Sequence, residues 1–232
     1  MAEENKKKTY VKPKGNPKTL RLLAVLMWVL GLACEAVGIL IILNKLVVSN
    51  PIVFIIIALV VDLIFVVIGS FMWKRANKID PPSEKNKVEF FIKTQLGAII
   101  AVIAFFPILL VLLMDKKIDK KAKTWVTILA AVCLLAAVGL SIDYNPVSLE
   151  DLQQMEANSQ SSDFGTGVVK WSKNSKVYHT WDACSSLGRI KAENLREGTA
   201  KTAFEDGKAR MCRFCAAHFN ITEGVDTGNS EE

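Results

Sequence analysis

Hydrophobic and polar positions divide the chain near residue 142. Before it, four apolar runs occupy residues 22–43, 52–73, 96–114 and 125–142. Each holds 18 to 22 residues, enough to cross a hydrocarbon core of about 30 Å as a helix. No water in that core satisfies a backbone amide, so each run is predicted to be helical. Pro107 interrupts the third run; it removes an amide donor and is expected to kink that helix.

After residue 142 the pattern shortens. Ser148-Leu149-Glu150-Asp151 reads as a capping box opening an acidic helix to about Ala157, with Leu149, Leu152 and Met155 as its apolar stripe. That helix is expected to be a spacer near the membrane, followed by a flexible Ser/Gly-rich linker over 158–167. Residues 168–171 and 176–180 flank a polar turn, the pattern of a β-hairpin. A short helix is predicted over 200–206, stopped by Gly207, and a last one from Cys212 to about Phe219. The fold class is therefore an α-helical membrane domain of four transmembrane helices plus a small α+β module. Its divisions are a basic disordered tail over 1–19, the membrane domain over 20–143, the acidic helix and linker over 144–167, the module over 168–219, and a disordered acidic tail over 220–232.

Charge sets an orientation. The 232 residues carry a net charge of +6, concentrated beside the apolar runs and in the module, a distribution that suits a membrane protein. Seven Lys or Arg precede the first run and six lie in 74–93, thirteen on one side; one lies in 44–50 and five in 115–123, six on the other. The excess puts the N-terminus in the cytoplasm. Four full spans then place the module there too. A re-entrant third segment would instead move residues 115–123 inside and the module outside.

Two acids interrupt the runs: Glu35 in the first and Asp62 in the second. In an antiparallel hairpin both fall roughly 13–17 Å from its outer end, with Gly31, Cys34 and Gly38 around one and Ala58 and Gly69 around the other. Small residues allow close approach, so the two faces are expected to meet and the acids to share a proton. One alternative function follows, a small transporter or channel subunit using Glu35 and Asp62; the other reading of the acids is a structural hydrogen-bonded pair.

The module carries the clearest chemistry. His179 and Cys184 form an H-x4-C pair, and after 27 residues Cys212 and Cys215 form C-x2-C. Two close pairs joined by a longer loop supply four ligands to a tetrahedral Zn2+. Val177, Tyr178, Leu187, Leu195, Phe204 and Phe214 are few for an independent core, and so small a domain calls for a metal staple. His218, three residues past Cys215, competes with His179 as the fourth ligand. A thioredoxin-like use of Cys212 and Cys215 lacks its βαβ setting. Cys34 and Cys133 lie in apolar runs and read as packing residues.

The pattern Lys176-Val177-Tyr178-His179, Cys184, Leu187, Gly207-Lys208, Cys212-x-x-Cys215 resembles the small Ada-like metal-binding modules found at the C-termini of bacterial nucleases and membrane proteins. The resemblance covers about 168–219, and the helical part resembles an uncharacterised bacterial multi-pass family carrying such a tail. It implies His179, Cys184, Cys212 and Cys215 as the metal ligands. Ada itself uses four cysteines; His179 stands at one of those positions here, a departure that separates the site from methyl-acceptor chemistry. The expected function is a non-enzymatic multi-pass cell-membrane protein displaying a structural zinc module for interaction or sensing. Its partners would be the lipid bilayer and a protein not identifiable from sequence. Nucleic acid is an alternative partner, since residues 168–219 hold ten Lys or Arg against five Asp or Glu with Trp171, Tyr178 and Trp181 interleaved. A zinc-thiolate alkylation or redox sensor is a further alternative.

Overall fold

The computed structural model describes residues 15–116 and 118–225. The chain divides into two units: residues 16–77 with 87–146 form one, and residues 78–86 with 147 onward form the other.

The first unit is built from four helices, α1 (Pro17–Ile42), α2 (Pro51–Ile79), α3 (Lys87–Met114) and α4 (Lys120–Ser141). All four are long and apolar enough to cross a membrane, by length and composition. Each continues past its apolar run, because charged residues extend a helix beyond the hydrocarbon while their side chains reach water. Asn16 caps α1 by accepting from Lys18 N–H, and Pro17 occupies its first turn. Helix therefore begins inside the span expected as basic tail; the rest of that tail, residues 1–14, lies outside the described residues.

Four helix ends gather at one end of this unit. Trp73 Nε1–H and Asn77 Nδ2–H donate to Lys93 O at 2.8 and 3.0 Å. Lys74 Nζ donates to Leu140 O at 2.8 Å, and Gln95 exchanges two hydrogen bonds with the backbone of Asp143. Arg21 lies over the Trp73 ring, which packs on Trp28. Indole and cationic groups at one level are what a membrane–water boundary selects. The arrangement brings together the start of α1, the end of α2, the start of α3 and the end of α4, and α3 is one continuous helix of 28 residues. Interior positions are Ile55, Leu59, Val66, Ala101, Ala104, Phe105, Ile108 and Leu112. At Gly31 a Cβ would lie 2.6 Å from Asp62 Oδ1; only glycine permits that approach.

The second unit holds a four-stranded sheet ordered β3-β1-β2-β4, from β1 (Val168–Ser172), β2 (Val177–His179), β3 (Leu195–Thr199) and β4 (Arg210–Met211). The β1–β2 hairpin is antiparallel with Trp171 opposite Tyr178. β3 pairs antiparallel with β1, and β4 runs parallel to β2. Around the sheet lie α5 (Leu149–Asn158), α6 (Ser185–Gly188), α7 (Ala200–Glu205) and α8 (Arg213–Phe219).

Four expectations change here. The acidic helix α5, expected as a spacer, seats Leu152 and Met155 in the module's core beside Trp171, Tyr178, Phe204 and Met211. The expected linker is a folded turn: Asp163 N–H donates to Thr180 O, and Gly167 N–H to Ser159 O, at 2.9 and 3.0 Å. Gly167 takes φ +73° there, a conformation that glycine adopts without strain. The acidic tail begins as structure, since Met211 N–H donates to Gly224 O and Asn158 Nδ2–H to Glu223 O; residues 226–232 lie outside the described residues. Phe214, expected in the core, is 41% exposed, while Trp171, Met155 and Met211 fill the core instead.

Candidate metal centre

Strand pairing assembles the site. His179 ends β2, and the parallel pairing of β4 with β2 delivers Cys212 beside it, with Cys212 N–H donating to Tyr178 O at 2.9 Å. Cys212 is then the N-cap of α8 and Cys215 lies in its first turn. The chain reverses after Thr180, and Cys184 becomes the N-cap of α6.

The four side chains converge. Cys184 Sγ lies 3.4 Å from His179 Nδ1 and 4.0 Å from Cys212 Sγ; Cys215 Sγ lies 3.6 Å from His179 Nδ1. The four ligand atoms all fall within 4.8 Å of one another, a group that could hold a metal ion. All four residues are buried, and the cysteines are free thiols. His218 is elsewhere: its ring stacks on Trp181 at 4.3 Å and 5°, with Phe219 edge-on.

Electrostatics favours thiolate. The hydrogen bond from Cys215 holds the Cys212 thiol well below the usual thiol range, helped by His179 and by Phe214 N–H, against the cost of burial. Cys215 is pushed up by keeping the shared proton and by burial, while the amides of Thr180 and Trp181 point at its sulfur and favour its ionised form. The amides on Cys215 come from the turn after β2, and Phe214 N–H, at the start of α8, is the helix-start donor on Cys212. A cation would replace the shared proton.

Around this centre lie residues whose place was not evident from sequence. Tyr178 is fully buried, and burial pushes its phenol up to about 12. Lys208 is buried too, its ammonium donating to Lys173 O and Ser175 O and so closing the β1–β2 turn. Burial lowers its pKa, opposed by Asp206. Trp171 Nε1–H donates to Asp206 at 3.1 Å.

The intramembrane acids do not pair with each other. Glu35 Oε1 accepts from Ile108 N–H of α3 at 3.2 Å, the amide just past Pro107. Asp62 is 1% exposed and neither carboxyl oxygen has a hydrogen-bond partner among the described residues. Cys133 is buried within the bundle, and Cys34 half-buried in α1.

No family model, curated protein or solved structure matches the chain.

Proposed function

We propose that this is a non-enzymatic multi-pass membrane protein that displays a structural Zn2+ module on its cytoplasmic side for interaction or sensing. The observation that carries it is the closed quartet His179, Cys184, Cys212 and Cys215. A tetrahedral zinc with bonds of about 2.3 Å to sulfur and about 2.0–2.1 Å to nitrogen has S···S edges of about 3.8 Å and S···N edges of about 3.6 Å. The observed 4.0, 3.4 and 3.6 Å separations lie near those edges, and all four ligand atoms fall within 4.8 Å of one another. Three thiolates and a neutral imidazole fill the shell, leaving no position for a reacting water. The amides aimed at Cys212 and Cys215 act as the outer support such sites use. Purified full-length protein should carry one zinc per chain, and Cys212→Ser should lose it while Cys34→Ser and Cys133→Ser keep it. Equal metal content in all three variants would sink the assignment.

A second reading, proton passage through the bundle, draws on Asp62. Both Asp62 carboxyl oxygens are buried without a hydrogen-bond partner among the described residues, which is costly in a helix bundle. Proteoliposomes with a trapped pH dye should then show a proton flux that Asp62→Asn abolishes. A wild-type chain that passes no protons removes this reading.

A further inference from the structure

The geometry points to α5 as a coupling rod that makes the loop between α2 and α3 respond to metal occupancy of the module. This rests on the zinc reading above and adds what the module regulates.

One face of α5 belongs to the metal centre. Leu152 and Met155 pack in the same buried cluster as Cys184, Cys212 and Cys215, and Asn158 at its C-terminus ties it to Glu223 O at 3.0 Å. Its first turn belongs to the loop. Glu150 uses both carboxylate oxygens there: Ser83 Oγ–H donates to Oε1 at 2.5 Å and Glu84 N–H donates to Oε2 at 2.9 Å. Leu149 N–H donates back to Pro82 O at 3.0 Å. Pro81 and Pro82 are buried. The hydrogen bonds from Ser83 and Glu84 also hold the Glu150 carboxyl below the usual carboxylate range, as acceptance in its charged form requires.

The loop runs directly into α2 at Ile79 and α3 at Lys87. The Ser148–Asp151 capping box makes the α5 N-terminus rigid, with reciprocal bonds of 2.8 and 3.0 Å. A helix of ten residues is marginal alone in water, so α5 holds its shape only while its seat in the core persists. With three of the four proposed metal ligands inside that core, loss of zinc removes the seat, frees α5, and releases the clamp on residues 82–84. Metal occupancy is thereby passed to the hinge of one pair of membrane helices.

The test is hydrogen exchange, read by mass spectrometry on the full chain in nanodiscs, with zinc content measured on the same samples. In the zinc-loaded protein the Glu84 amide should be protected. Chelation should speed its exchange at least tenfold while leaving the 44–50 link unchanged. Glu150→Ala should give the same fast exchange at Glu84 with one zinc per chain still bound. Unchanged Glu84 exchange after zinc has left, or in Glu150→Ala, overturns the coupling and leaves the metal site standing. A wild-type chain that holds no zinc overturns the metal reading on which the coupling rests.

Discussion

Replacing His179 with Ala should weaken zinc binding far more than replacing His218 with Ala, although the two histidines flank the same cysteines. Zinc binds small structural sites with about 10–16 kcal/mol; spread over four ligands, one ligand is worth roughly 2.5–4 kcal/mol. At about 1.4 kcal/mol per factor of ten, His179→Ala should cost roughly 10²- to 10³-fold in affinity. His218 lies outside the cluster and contributes a ring stacked on Trp181 at 4.3 Å, worth about 0.5–1.5 kcal/mol. That stack shields one side of the turn that carries Thr180 and Trp181, whose amides face Cys215. Its loss should therefore reach the metal only indirectly, at most about tenfold. The assay is competition between the full chain and a chromophoric chelator, with cobalt substitution to count thiolate ligands by their charge-transfer band. His179→Ala should leave three thiolates with the band shifted, and His218→Ala should leave the spectrum of the wild type. A larger loss from His218→Ala, or equal losses, would refute the assignment of Nδ1 of His179 as the fourth ligand.

Zinc affinity should rise with pH across the neutral range, because the proton that Cys215 keeps must leave before its sulfur binds. Its thiol is pushed up by Cys212 and burial, so the proton is present throughout that range and each proton released adds up to about tenfold per pH unit. A pH-independent affinity would remove Cys215 from the shell. The C-terminus should be cytoplasmic: a reporter active only in the cytosol should work when fused after Glu232, and cleavage of the module by protease added to intact cells would reverse the orientation. The contacts of Glu150 with Ser83 and Glu84 sharpen that test, since they hold the module and residues 78–86 on one side of the membrane. Blocking a cysteine introduced at Lys85 with an impermeant reagent should fail in the same cells.

The four helices and the Cys/His cluster were legible because their signals are local. An apolar run of 18 residues or more has few other uses, and two Cys/His pairs at ligand spacing carry their chemistry in the residue types. What escaped depends on partners distant in sequence. The apolar stripe of α5 was visible, but not that Leu152 and Met155 would find Trp171 and Tyr178 instead of lipid. β3 lacks a run of strand-forming residues; it pairs because Gly198 leaves room for the Trp171 ring, which a Cβ would meet at 3.0 Å. Phe214 reads as core by type, yet its neighbour Cys215 must face the cluster, and one turn of helix cannot turn both side chains inward. The linker over 158–167 has a disordered composition, but Thr180 O supplies an acceptor that only the folded hairpin brings near, and the segment closes on its own Ser159 O.

The two membrane acids, equivalent in the sequence, part company for a reason that lies on a third helix. Pro107 has no amide hydrogen, and its ring crowds the carbonyl four residues earlier. Disturbance of a helix at that depth is tolerated only where a neighbouring helix satisfies the exposed groups. Glu35 reaches from α1 to the amide of Ile108, the residue after Pro107, so that acid has its partner on α3. Asp62 has no such counterpart. Its carboxyl rests against Gly31, one turn before Glu35 on α1, with both oxygens buried and unbonded among the described residues. A hydrophobic residue of similar size would pack there at lower cost. If the bundle does more than hold the module at the membrane, Asp62 is therefore the residue through which it does so.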